Sequence, residues 1–535
     1  MTAIMQTLLF MLAVLAAVAV LAKRLNMAPS ILLVIAGIAM AVIPGLPRVS
    51  LAPEVVLLVI LPPLIYSAGV AMSWREFKFN LRPIGLLAFG CVVFTASAVA
   101  AAAHYLLDFS WAAGFVLGAI IAPPDVVAPL AIARRLGLPR RVVVVLEGEG
   151  LANDATALIL YRFAVAAVAT GAFSLQKAGG TFGAIVVGEV IWGLAVGWLS
   201  LRVRQWARDT RVEITLSLMT PYLAFWVPAH LGGSGVLATV ACGLYVSWKG
   251  PLLISSATRL QGIFFWDLLV YLVEGLVFLV TGLEARTLMD NGHPFSIPDL
   301  AIATAVTVAI VIAARFAWVF PATYLPRWIY PPLARTDPAP PWQSVFMIAF
   351  TGIRGVVSLA AALAIPYATE SGAPFPHRDL ILFVTFGVII VTLIGQGLML
   401  PRVVRWLGLA RHGEAERQSE IEAELAARQA ALRQVEQRLE ALAGERPVPD
   451  DVLELLRTRN LSRAQILPRD LTDGLDHTRQ SARLKKELID AERGFIYQLL
   501  RDGKITDEAR RRIEYELDLE EASLTNRGHD GGGWI

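Results

Sequence analysis

Asn153 and Asp154 stand side by side in the middle of the apolar stretch 142–170, in the run Glu147-Gly148-Glu149-Gly150-Leu151-Ala152-Asn153-Asp154. An ionisable side chain at bilayer depth costs about 2.5–3.5 kcal/mol on insertion scales, so it persists where it meets an aqueous cavity, a partner or an ion. This pair is therefore a candidate ion site. Residues four apart on a helix lie one above the other. Glu149 and Asn153 therefore share one strip and Gly150 and Asp154 the next, which separates two tasks.

Bilayer depth follows from composition. The 535 residues are 56% hydrophobic and 17% charged, with mean hydropathy +0.59, where a soluble average carries about a quarter charged residues. The charges are also unevenly placed: from His412 onward lie 26 of the 44 Asp and Glu, whereas 27 of the 47 Lys and Arg precede it. The pattern predicts a membrane domain over 1–410 and a polar tail over 411–535. Cys91 and Cys242 fall in apolar runs, which argues against a disulfide. None of the seven His stands at the centre of a span, which argues against a buried zinc site. The first basic residue is Lys23, so the opening segment lacks the positive start of a signal peptide and reads as the first span.

A window near 20 residues finds thirteen apolar segments, at about 4–22, 28–46, 53–73, 83–104, 110–133, 142–170, 181–201, 213–230, 233–248, 261–284, 299–321, 343–367 and 379–402. The boundary between the eighth and ninth is the weakest, being short and uncharged. Loops after odd-numbered spans hold 17 Lys and Arg, and loops after even-numbered spans hold 4. By the positive-inside rule the odd loops and the tail are cytoplasmic and the N-terminus lies outside. The expected location is the cell inner (cytoplasmic) membrane, crossed several times.

Two segments carry helix-breaking chemistry. The fifth contains Ala122-Pro123-Pro124-Asp125 with Pro129 beyond, and the twelfth contains Gly352-Ile353-Arg354-Gly355. Proline removes a backbone donor, and two glycines around a mid-span arginine weaken a helix. Both should unwind near the midplane. Seven spans apart, they run in opposite directions. That is the trace of an inverted repeat with two crossed broken helices, whose free carbonyls and half-helix ends surround a transport site. Asp125 suits half-helix N-termini and Arg354 the C-termini. Backbone oxygens of Ala122, Pro123 and Pro124 are candidate ligands, since hard cations take oxygen donors.

Leu61-Pro62-Pro63-Leu64, Ala122-Pro123-Pro124-Asp125, Glu149 to Thr156 and Gly352-Ile353-Arg354-Gly355 occur in this order and spacing. In this set the chain resembles the monovalent cation:proton antiporters of the sodium/proton exchanger (NhaP-like) type, bacterial form, over spans 3–13. The segment Asp502-Gly503-Lys504-Ile505 through Glu521 is similar to the tail of bacterial members. The resemblance implies an all-α polytopic membrane protein of the NhaA-like antiporter fold with about 13 transmembrane helices and a helical cytoplasmic tail. It also implies a homodimer.

The resemblance makes Asp154 the carrier of cation (Na+ or K+) and proton. A carboxyl withdrawn from water holds its proton more tightly, so proton and cation compete for one site; that competition is antiport. Asn153 then supplies an amide oxygen or holds the broken helices. Electrogenic relatives carry aspartate there, so a single carboxylate implies electroneutral exchange of one cation for one proton, serving pH and cation homeostasis. The family's glutamate-arginine lock maps onto Glu149 and Arg315, the lone arginine of span 11; snorkelling of Arg315 to an interface is the other reading. The chain departs from the family at Gly150, where serine is common, and at Ser67, where an acidic residue is common. Ser67 or water can complete the shell. Sodium is the first expectation and potassium the alternative, with lithium also a candidate.

Glu189, Glu274 and Asp267 either line a funnel or pair structurally, for instance with Arg162. The tail predicts helices at about 414–442, 450–460, 479–501 and 507–523, ended by Pro447 and Pro449 and by Gly531-Gly532-Gly533. It is either a regulatory or dimer-contacting domain or a solvated appendage. A channel needs a continuous hydrophilic path and an enzyme a nucleophile-base or metal constellation. An Asp125–Asp154 dyad is the nearest approach to the second. The expectation is a transporter that is no enzyme, with no cofactor beyond the transported ions, the bilayer as surroundings, and no nucleic acid.

Overall fold

In lipid the backbone must satisfy its own hydrogen bonds, and the apolar segments fold accordingly as helices. The computed structural model describes residues 2–25, 27–43, 52–171, 174–290, 296–369, 372–445, 451–458, 474–502, 504 and 506–528. The protein is an all-α polytopic membrane protein, with one isolated bridge, Ala368 to Pro374, and no β-strand among the described residues. Among the described residues, one to three consecutive helical elements lie in each of the thirteen apolar segments. Among the described residues nine helices are long and apolar enough to cross a membrane, and Pro29–Ala41 and Trp111–Ile121 are shorter apolar helices.

The chain divides into two compact units, Met1–Ala410 and Arg411–Trp534. In the first, the central helix Arg140–Thr170 runs unbroken for 31 residues with Asn153 near its middle, and Gly171 ends it at φ 65, the left-handed cap that glycine adopts freely. Close packing uses small residues. A Cβ on Gly37 would lie 2.9 Å from Gly282 Cα, so helix Pro29–Ala41 rests backbone to backbone on Ser256–Asp290. Outer positions such as Trp198 and Phe264 remain exposed, a surface suited to lipid.

Prolines shape two further helices near the centre. Pro63 has no N–H for the carbonyl of Val59, and the Tyr222 hydroxyl donates to that carbonyl at 3.0 Å. Residues Val56–Ile60 just before it take a π-helical turn, as does Val391–Gln396; such turns concentrate at functional sites.

The second unit holds helix Leu409–Glu445 from Arg411 onward, Gly474–Arg501 and Asp507–Gly528, and residues 451–458 are helical. Ile489 and Leu517 are buried together with Ile513 packed on them, and Arg493 bridges Glu521 at 2.6 Å and Asp518 at 2.5 Å. Pro447, Pro449, Gly503, Ile505 and Gly531 to Gly533 lie outside the described residues.

Candidate functional site

The fifth segment is two helices, Trp111–Ile121 and Val127–Leu136, because Pro123 and Pro124 cannot donate. The twelfth is also two, Trp342–Phe350 and Val356–Leu363. The two breaks touch: the Asp125 amide donates to the carbonyl of Ile353 at 2.6 Å. Each break leaves helix ends with unsatisfied groups, and charged side chains answer them. Asp125 Oδ1 accepts from the Val127 amide at 2.9 Å, at the start of the second half-helix. Arg354, 1% exposed, donates through Nε to the carbonyl of Ile121 at 2.8 Å, through Nη2 to Ala122 at 3.3 Å, and through Nη1 to Gly352. Its own amide donates to Thr392 Oγ1 at 3.1 Å. Thr392 belongs to the π-helical turn, and nothing local in the sequence marks this one threonine among many.

The central helix passes beside both breaks. Asn153 is fully buried and donates through Nδ2 to the carbonyl of Pro124 at 2.8 Å, while its Oδ1 is buried with no partner. One turn back, Glu149 is also fully buried. Its two carboxylate oxygens accept from Arg315 Nη1 and Nη2 at 2.5 and 2.7 Å, and Arg315 Nε donates to the carbonyl of Ile348 at 3.1 Å, near the end of Trp342–Phe350. Arg315 reaches into the protein rather than to a membrane interface.

The neighbouring strip of the helix faces a cavity instead. Gly150 and Asp154 line a cavity of about 710 Å³, together with Pro123, Pro124, Asp125 and Ser67. The Ser67 hydroxyl donates to the carbonyl of Leu64 at 3.0 Å, leaving its oxygen able to accept or ligate. Of the backbone oxygens read as ligands, that of Ala122 faces Arg354 and that of Pro124 faces Asn153. A Cβ at Gly150 would run into the Val126 side chain, so the helix approaches the first break closely because this position is bare.

Among the weaker sequence signals, Glu274 and Asp267 line the same cavity. Glu189 has another task. It accepts from the amides of Ser234, Gly235 and Leu237 at 2.5, 2.9 and 3.0 Å, capping helix Val236–Leu253 from outside, and Arg162 donates to the carbonyl of Gly233 at 2.5 Å. Arg204, which no local pattern marks, is buried at the cavity wall and donates to the Tyr66 hydroxyl at 3.0 Å.

Comparison with known proteins places this geometry. A solved structure of the sodium proton antiporter MjNhaP1 from Methanocaldococcus jannaschii superposes with a TM-score of 0.59 at 17% identity, covering 76% of this chain and 100% of that one; it shares the fold. A Na+/H+ exchanger of Mycobacterium tuberculosis is 34% identical over 517 residues, 94% of this chain and 93% of the relative. The sodium, potassium, lithium and rubidium/H+ antiporter of Bacillus pumilus is 32% identical over 377 residues, 68% of this chain and 56% of the relative. The family model for the sodium/hydrogen exchanger, transmembrane, matches residues 10–406, and the chain therefore belongs to the transmembrane sodium/hydrogen exchanger family, whose members are transporters rather than enzymes.

Proposed function

We propose that this protein exchanges a monovalent cation for a proton across the cytoplasmic membrane, with Asp154 as the shared carrier of both. The observation that carries the proposal is the placement of Asp154. It faces the cavity beside two interrupted helices, while Asn153 and Glu149, on the adjacent strip, are committed to Pro124 and Arg315. Of the two carboxyls on the central helix's inner face, Asp154 is thus the one left to bind and release ions, and Glu149 holds the frame. Pro123 and Ser67, which line the same cavity, and water supply further oxygen donors, with Ala122 and Pro124 contributing through carbonyls that Arg354 and Asn153 also engage.

Sodium is the favoured cation, after the relatives named sodium exchangers. Potassium is the second reading, supported by Gly150, which offers no hydroxyl, and by the relative named for sodium, potassium, lithium and rubidium. Asn153 in place of a second carboxylate supports a one-for-one, electroneutral cycle that serves pH and cation homeostasis. The loop charges support thirteen passes in inverted repeats with the N-terminus outside and the tail cytoplasmic; a homodimer and a regulatory tail complete the proposal. In everted vesicles, added NaCl or KCl should collapse a preformed pH gradient. Failure of both salts to do so would refute the proposal.

A further inference from the structure

Helix Gly474–Arg501 of the tail has two apolar faces. One holds Ile489 and Ile496, both buried, and Ile489 meets Leu517 and Ile513 of helix Asp507–Gly528. The other holds Leu484, Leu488 and Phe495, which are 56%, 70% and 58% exposed, with Ala491 exposed between them. These four follow one another at intervals of four, three and four residues, the spacing of a coiled-coil seam. The charges sort in the same way. Lys486 and Arg493 bridge Glu521 of the second helix, and Arg493 also bridges Asp518. Lys485 and Glu492, on one flank of the exposed seam, are themselves exposed and make no hydrogen bond or ion pair among the described residues.

The spacing decides which second helix fits. Laid antiparallel about a two-fold axis between positions 489 and 490, two copies set Leu488 against Ala491 and Leu484 against Phe495, and bring Lys485 beside Glu492 twice. Laid parallel and in register, they bring Glu487 beside Glu492 twice, and flanking charges of this kind set the orientation of paired helices. The seam is thus self-complementary in one orientation, as an isologous two-fold interface requires. Four side chains per copy fall short of the roughly 1,000 Å² that a specific interface between free proteins takes, so the occupant has to be held close. A second copy in the same membrane assembly is so held, because tethering raises its effective concentration to the order of mM. The flanks carry both signs, unlike the basic face of a helix that lies on anionic lipid.

We propose that the tails of two copies pair through this seam, antiparallel, with Lys485 of each copy beside Glu492 of the other. The inference rests on the homodimer reading and is independent of the ion site.

The test is cross-linking of the full-length protein in its membranes with a short, membrane-permeant bis-maleimide. Ala491→Cys puts a thiol beside the two-fold axis. Glu508→Cys, exposed in the first turn of Asp507–Gly528, is the control away from the seam, and the native Cys91 and Cys242 are buried. Ala491→Cys should yield covalent dimer, and Glu508→Cys several-fold less. In the Ala491→Cys background, Lys485→Glu and Glu492→Lys should each lower the yield about three- to tenfold, the scale of an exposed ion pair that occurs twice, and the two changes together should restore it. A higher yield with Glu492→Lys alone would mark a parallel seam and overturn the proposal. So would no dimer from Ala491→Cys, or a yield that equals the control and ignores the charge changes. A thiol at position 491 that is shielded from a soluble maleimide yet gives no dimer would place lipid or this chain's own helix Leu409–Glu445 on the seam, which also overturns it. The mass of the unsubstituted protein in detergent separates the failures: a dimer without the cross-link refutes this seam alone, and a monomer refutes the homodimer reading with it.

Discussion

The amide of Asp125 donates to the carbonyl of Ile353 at 2.6 Å, so the two interrupted helices are joined backbone to backbone at their breaks. Neither break could satisfy its groups alone in an apolar medium, where each orphaned group costs several kcal/mol. Together with Asp125 Oδ1, Arg354 and Arg315, they form one frame around the strip that carries Asp154.

That frame makes Glu149 and Arg315 structural partners. Removing one member leaves the other buried and unpaired, at a cost of about 3–5 kcal/mol. Glu149→Ala and Arg315→Ala should each lower the melting temperature of the purified protein sharply. Glu149→Leu combined with Arg315→Met should recover part of the loss, though not all, because Ile348 also loses its donor. Melting curves in detergent check this, and single variants as stable as the unsubstituted protein would remove the pair from the frame.

Gly150 tests the shell around the cation. A serine there would add an oxygen on the same strip as Asp154, yet its Cβ collides with Val126. Gly150→Ser alone should therefore impair exchange. In a Val126→Ala background, which makes room, the same change should lower the KM for sodium about tenfold more than that for potassium, since about 1.4 kcal/mol is the scale of one such contact. Equal KM values for both ions with and without the serine would show that position 150 does not face the cation.

With one exchangeable carboxylate, turnover should not depend on membrane potential. Exchange rates in proteoliposomes clamped with valinomycin should stay flat across imposed potentials; a steep dependence would require a second transported proton.

In the tail, hydrogen bonds from Arg493 and then Lys486 hold the Glu521 carboxyl below its ordinary range. A depressed carboxyl contributes stability that is present above its unfolded value and lost as pH falls through the folded one. Amide-exchange protection within 484–521, corrected for intrinsic rates, should thus weaken below about pH 4. Glu521→Gln should show less protection at neutral pH and a smaller change on acidification.

Much of this architecture is legible in the chain because its causes are local. Proline and glycine mark the two breaks, and apolar runs mark the helices. Four-residue spacing separates Glu149 and Asn153 from Gly150 and Asp154. What is not legible depends on residues far apart in sequence. Glu189 reaches a helix start 45 residues on, Thr392 meets Arg354 across 38, and the contact that makes Gly150 necessary is set by Val126. No periodicity shows which buried charge meets which orphaned backbone group.

The central claim is that Asp154 alone carries the exchanged ions. Asp154→Asn preserves volume and removes the titrating group. In everted vesicles with equal amounts of inserted protein, it should abolish sodium- and potassium-dependent collapse of the pH gradient while the melting temperature stays near that of the unsubstituted protein. Gradient collapse at the unsubstituted rate by the Asp154→Asn protein would contradict the claim and return the carrier role to Asp125 or Glu274.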